Sequence, residues 1–344
     1  MQINYLSTSV RGSVKCFSMA GNARSWRMSF SAAAIVWAGV VLLAAFYGAA
    51  LGFGGRRFAF ALAITGALFA IEVFLAAPNV LERVRSWLGG HARGLAALVP
   101  LFAVVIYGMG VVSDWKTTLL GAAYAIAPAL LVAACAGKPP GAWGDYAAAV
   151  LLWLPVTFQW MYRVFPYPPP LTHALTIVMG LSTGVAAFLL LRRLEGVGYA
   201  VEWGRGFGWN FGFHFIVLAG IAIPLGIRIG FLVFDPAFAR IRSLPFTALG
   251  ILLFTAWPEE FLFRGVLQNM LARTMKSQWA GLIVASVIFG FSHILHTPYP
   301  NWKYVLLATI AGFFYGRAWM KTGSLVPGTL VHGLVDISWH ILFR

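Results

Sequence analysis

The sequence predicts an all-α polytopic membrane protein, and three observations lead there. Of 344 residues, 60% are hydrophobic and only 10% are charged, a composition far from that of soluble globular chains. Apolar stretches long enough to cross a hydrocarbon layer of roughly 30 Å recur along nearly the whole chain. The short segments between them hold most of the Arg, Lys, Gly and Pro, as expected when every spanning backbone must satisfy itself as helix.

Residues 1–28 carry Arg11, Lys15, Arg24 and Arg27 and read as a cytoplasmic N-terminal tail. The apolar run that follows, 30–53, exceeds the roughly 7–15 residues of a signal-peptide core and reads as a first span kept in the membrane. Further spans are expected at 58–77, 94–112, 117–136, 147–163, 172–191, 209–230, 244–270, 280–296, 303–320 and 325–343. The total is about ten to eleven transmembrane helices, because 147–163 is short and contains Pro155. Proline-rich turns at 137–145 and 165–173 punctuate the middle. The polar stretch 192–208 marks a seam between an N-terminal transmembrane bundle of unassigned role, 29–200, and a C-terminal unit, 201–344.

The formal charge is +15, yet no basic stripe with interleaved aromatics is present, so nucleic acid is not an expected partner. With the N-terminus inside, the cytoplasmic segments hold fifteen Lys and Arg against eight opposite, which favours that orientation. The hairpin GFGGRR at 52–57 runs against it locally. Trp115, Trp143, Trp160, Tyr162, Tyr299, Trp302, Tyr304 and Trp319 sit near span ends and fit an interfacial belt. Cys16 and Cys135 are the two cysteines; Cys135 lies in an apolar run and reads as a small buried group.

Ionisable groups inside an apolar layer are costly, which makes them the informative signal. Glu260 and Arg264 are four apart and share a helix face, whereas Glu259 points about 100° away. One glutamate is thus held by arginine and the other is free for chemistry. Pro258 suggests a broken or kinked helix start whose unsatisfied amides favour carboxylates and can supply an oxyanion contact. In 285–300, Phe289 and His293 are one turn apart and His296 follows. In 323–340, His332 and Asp336 share a face with His340. At 1.5 Å per residue, Glu259, His293, His332 and Asp336 lie about 16, 20, 10 and 16 Å from the inner boundary, so they can meet in a cytoplasm-facing cavity. Gly281, Gly290, Gly312, Gly316, Gly323, Gly328 and Gly333 allow close helix approach. Glu72, buried in the second span, is unexplained by the sequence, with a pore or a packing role open, and His214 and His340 read as structural.

Such a set can orient and deprotonate water, or bind a divalent metal that does so. EEFLFR resembles the Glu-Glu-x-x-x-Arg signature of the CPBP intramembrane proteases, the family of the CAAX prenyl endopeptidases and of bacteriocin-processing and immunity (Abi) proteins. FGFSH is similar to its Phe-x-x-x-His motif, and HGLVD to its His-x-x-x-Asn motif, with Asp336 in place of the commoner asparagine. The resemblance covers about residues 205–344 and implies a CPBP-type catalytic helical bundle.

The activity it implies is endopeptidase hydrolysis of a peptide bond in a membrane-associated protein or peptide within the lipid bilayer. Glu259 and His293 would activate water, His332 and Asp336 would complete the site, and Glu260 and Arg264 would hold the framework. Zn2+ or another divalent metal on Glu259, His293 and His332, and a metal-free glutamate mechanism, both fit. A transporter or ion- or proton-conducting protein, and a non-catalytic immunity or scaffold protein, are the competing functions. The basic N-terminus and the lack of an organelle address fit a bacterial inner membrane.

Overall fold

The computed structural model describes residues 26–90 and 92–343. Most of the expected tail, with Cys16, lies outside the described residues. Within them the architecture is a helical bundle with one two-residue pairing, β1 (Trp26–Arg27) against β2 (Glu202–Trp203). The helices are α1 (Phe30–Ala50), α2 (Gly55–Leu75), α3 (Val80–Leu88), α4 (95–112), α5 (Trp115–Ala133) and α6 (Trp143–Thr157), then α7 (172–191), α8 (Phe207–Arg228), α9 (244–274), α10 (Gln278–Phe291), α11 (Trp302–Thr322) and α12 (Leu325–Leu342).

Every expected span is a helix, and eight helical segments are long and apolar enough to cross a membrane. Three of the expected spans are not in that set, for physical reasons visible in the sequence. Helix α6 has 15 residues and ends two past Pro155, α10 has 14, and α11 carries Lys303, Arg317 and Lys321. Helix α3 falls in a stretch expected to be a loop. It is amphipathic, with Leu88 buried and Trp87 80% exposed, the pattern of a helix lying along an interface.

Helix starts follow local chemistry. Ser29, Asp114, Ser277, Asn301 and Ser324 each accept a backbone N–H of the first turn, which satisfies a donor the helix cannot. Gly323 has φ 66° and ends α11 as a left-handed cap. Its expected part in close packing is therefore corrected, since a Cβ there meets nothing within 4 Å.

Hydrogen bonds sort the connections onto two ends of the bundle. At the first end Val201 N donates to Ala76 O, Arg192 binds Asp145 and Lys138 O, Arg85 reaches Leu189 O, Arg273 reaches Glu195 O, and Leu325 N donates to Gly198 O. At the second end Arg57 binds Val111 O, Tyr107 donates to Tyr167 O, Lys303 reaches Gly230 O, and Phe234 pairs with Phe343. One buried cluster runs from Met28 through α2, α4 and α7 to Phe261, Val266 and Leu325, so the N-terminal helices pack directly on α9. Glu72 accepts Ser182 Oγ at 2.7 Å, and its carbonyl accepts Tyr199 OH. Its carboxylate thus joins α2 to α7, which is the packing role.

Candidate active site

Helix α9 is where the sequence expectation changes most. No helix starts at Pro258: the backbone stays helical from 244 to 274, and Ala256 before it is itself helical. Residues Leu252–Ala256 and Phe261–Gln268 are π-helical, with Trp257 N bonding Leu252 O and Asn269 N bonding Arg264 O. Such wide turns absorb a proline that cannot donate, and they recur at functional sites. The amides around Glu259 are thus inside a helix, and the expected oxyanion contact from a free helix start does not hold.

The α-helical turn Trp257–Glu260 between the two π segments presents the glutamates. Glu260 is fully buried and Arg264 is 1% exposed. Their i,i+4 pairing is as expected, with Arg264 Nε 3.2 Å from Glu260 Oε2. The guanidinium also reaches Gly312 O at 3.4 Å and lies over the Phe289 ring at 4.3 Å. Charge buried at this depth persists only when paired and hydrogen-bonded. Phe289 therefore packs beside the site as a wall for Arg264 and His332, edge-on to the latter.

His332, on α12, is the hub. Its Nδ1 lies 3.0 Å from Glu260 Oε1, and its Nε2 lies 3.8 Å from Glu259 Oε2 and 3.5 Å from Asp336 Oδ2. The Tyr315 ring stacks on the imidazole at 4.5 Å and 13°. A carboxylate accepts, so Nδ1 carries the hydrogen given to Glu260, and this orients Nε2 toward the other two acids. Gly328 makes the approach of α12 feasible, because a Cβ there would be 3.0 Å from Glu260 Oε2 and 3.1 Å from Tyr315 O.

His293 stands just past the end of α10. Its Nδ1 is 2.9 Å from both Phe289 O and Ser292 Oγ. The hydrogen therefore sits on Nδ1, and Nε2 of the neutral ring keeps a lone pair for a guest. Its ring contacts are Phe289, His296 and Tyr304. Glu259 approaches His332 within ion-pair range, so the geometry centres on His332 where the sequence reading centred on Glu259 with His293. His293, His332 and Asp336 nevertheless line one cavity of about 390 Å³, walled mainly by apolar residues of α8, α11 and α12.

Tyr304 was expected in an interfacial belt; it covers His293 and lines that cavity instead. It also lines, with Asp336, Trp339, His340 and Arg240, an adjoining polar recess of about 370 Å³. Arg240 Nη1 bonds His340 O at 2.7 Å. These residues belong to the second end of the bundle. The mouth is expected on the side of residues 1–28; the polar recess instead lies at the second end, opposite the Trp26–Arg27 pairing. His214 bonds Asn210 O within its own helix and serves packing.

Among the described residues no group of three or more His, Cys, Asp or Glu is arranged to hold a metal ion. His332 gives Nδ1–H to Glu260, a support that a ligating imidazole also uses, and its Nε2 faces Glu259 and Asp336. His293 turns its Nδ1–H to Phe289 O, and Glu259, His293 and His332 are not gathered as one ligand set in this arrangement.

No curated protein and no solved structure matches the chain. Residues 241–338, which contain Glu259, Glu260, Arg264, His293, His332 and Asp336, match the family described as Type II CAAX prenyl endopeptidase Rce1-like, and this part of the chain is a CPBP/Rce1-like (Abi) family domain.

Proposed function

We propose that the chain is an intramembrane endopeptidase that hydrolyses a peptide bond in a membrane-associated protein or peptide. The supporting observation is the convergence of Glu259, Glu260 and Asp336 on His332, with Arg264 paired to Glu260, beside an apolar cavity and within a Rce1-like domain. An acidic cluster in a hydrocarbon-embedded bundle is expensive to keep, and water activation gives it a use.

In this reading Glu259 is the general base. Its Oε2 is buried and has no hydrogen-bond partner, so it can take a proton from a water that also bonds the Nε2 lone pair of His293. The resulting hydroxide adds to the scissile carbonyl carbon. Glu259 then returns the proton to the amide nitrogen as the carbon–nitrogen bond breaks, and the two products carry a carboxyl and an amine. Two carboxylates facing the His332 Nε2 lone pair would repel it, so a proton resides among these three groups. That proton gives Nε2–H as a donor for the developing oxyanion. Glu260 and Arg264 orient His332 and do not touch substrate. No step passes through a metal.

The recess at the second end supplies water and a polar exit, and the apolar cavity receives hydrophobic side chains of the substrate. The excess of Lys and Arg at the first end supports a reading in which that end faces the cytoplasm at a bacterial inner membrane, with the recess opening on the other face. The test is a comparison of protein N-termini in membranes from cells expressing wild type, Glu259→Gln or His332→Gln at matched levels. New N-termini in membrane proteins should appear with wild type and vanish with both variants. Identical N-termini in all three samples would reject the peptidase reading.

A further inference from the structure

We propose that His173, on the N-terminal bundle, is a positioning residue for Glu259, holding the main-chain carbonyl of Phe254 and so fixing the rotation of the Trp257–Glu260 turn. This rests on the peptidase reading above and assigns part of the unassigned N-terminal bundle a role in it.

The argument starts at Pro258. An α-helix would deliver the N–H of residue 258 to the carbonyl of residue 254, and proline has none. His173 Nε2 lies 3.2 Å from that same oxygen. A carbonyl only accepts, so Nε2 carries the hydrogen and Nδ1 is the acceptor in the neutral ring. Tyr162 OH sits 2.8 Å from Nδ1 and donates to it, which selects this tautomer. The Tyr162 and His173 rings also meet edge-on at 6.2 Å.

The carbonyl lies in the first π segment, one turn before the glutamates. A π turn can slide along a helix, and such a slide would rotate Glu259 about the axis. His173 pins the turn by an external bond at the point where the chain itself has lost one. The Phe69 and Phe254 rings, 5.9 Å apart, add a second contact between the N-terminal helices and this turn. Both His173 and Tyr162 lie outside residues 241–338.

The experiment is a double-mutant cycle on the full chain, using His173→Phe, His173→Gln, Pro258→Ala and Pro258→Ala with His173→Phe. The readouts are kcat and KM on a cleaved membrane peptide, and amide exchange of residues 257–262. His173→Phe keeps a ring and removes the donor; kcat should fall about 10- to 100-fold with KM within about twofold. His173→Gln, which restores an N–H donor, should recover to within about threefold of wild type. In the Pro258→Ala background the added N–H serves the carbonyl, so His173→Phe should change kcat by less than about twofold.

Exchange at 257–262 should quicken at least about tenfold in His173→Phe and stay protected in His173→Gln. Because exchange does not depend on turnover, accelerated exchange in a chain that cleaves nothing would uphold the pin while removing the peptidase reading. Wild-type kcat and wild-type exchange in His173→Phe would overturn the proposal. So would equal losses from His173→Phe in the wild-type and Pro258→Ala backgrounds. A His173→Phe chain that does not fold leaves His173→Gln against His173→Leu in the Pro258→Ala background as the deciding pair, with rescue only by glutamine refuting the account.

Discussion

Gly328→Ala tests whether the site depends on how closely α12 approaches the glutamate turn. An alanine Cβ would lie 3.0 Å from Glu260 Oε2 and 3.1 Å from the Tyr315 carbonyl, short of ordinary contact at 3.4 Å by about 0.4 and 0.3 Å. Neither neighbour yields readily. The carboxylate is held between Arg264 and His332, and the carbonyl belongs to the backbone of α11. Helix α12 must therefore back away by a few tenths of an ångström. Overpacking of this kind costs about 1–3 kcal/mol, of which about 1 is returned by the better helix propensity of alanine.

The net loss of stability is thus about 0–2 kcal/mol, small enough for the protein to fold. The chemical effect is larger in proportion, because the 3.0 Å contact from His332 Nδ1 to Glu260 Oε1 stretches by the same amount. A misplacement of 1 Å costs about 10²-fold, so roughly 0.4 Å predicts a fall in kcat of about 5- to 10-fold. The assay is steady-state cleavage of a membrane peptide, paired with thermal unfolding in detergent. Gly220→Ala is the internal control, since nothing lies within 4 Å of its added Cβ; it should keep wild-type kcat and gain up to about 1 kcal/mol. A Gly328→Ala enzyme with wild-type kcat would refute the claim that this approach sets the geometry.

Removal of divalent metals by prolonged dialysis against a strong chelator should leave activity unchanged, and elemental analysis should find metal well below one ion per chain; loss of cleavage restored by zinc would contradict the metal-free reading. Arg192→Ala should destabilise the protein by about 3–5 kcal/mol, read as a lowered unfolding midpoint. The reason is that Arg192 pairs with a fully buried Asp145 at 2.8 Å and also serves Lys138 O and Pro139 O. An unchanged midpoint would show the pair to be dispensable. Single cysteines replacing Arg240 and Arg205, in a chain with Cys16 and Cys135 changed to serine, test sidedness. An impermeant maleimide added to intact cells should label position 240 and spare 205, and the reverse pattern would invert the proposed orientation.

Much of the site was legible because charge in an apolar layer has few explanations. Glu260 and Arg264 could be paired from their spacing alone, and the two helices that bring Glu259, His332 and Asp336 together could be named. Spacing along one helix does not say which partner a side chain meets on another. The preference of His332 for Glu260 depends on the close approach at Gly328, and the end at which the recess lies depends on where Arg240, Tyr304 and His340 meet. Helix α9 hid its π turns for a different reason: Leu252–Ala256 holds no charge to mark a period, and the four-residue spacing of Glu260 and Arg264 also fits an α turn, so neither stretch signals a change of hydrogen-bond pattern. Helix α3 does carry such a mark, with Val80, Leu81, Val84 and Leu88 on one side, and it was legible in principle. His173 and Tyr304 look like ordinary aromatic residues at span ends until the carbonyl of Phe254 and the ring of His293 are placed beside them.

The wide turn at Leu252–Ala256 gives this segment an uncommon tolerance of length. An i→i+5 turn holds about one residue more than an α turn, so excising one apolar residue there lets the turn tighten to α while everything after it keeps its facing. The same excision in a regular helix such as α10 swings the remainder by about 100° around the axis. Copies of the gene that lack one codon in this bland stretch should therefore encode proteins that insert and still set Glu259 and Glu260 against His332, and copies that lack one codon within α10 should not.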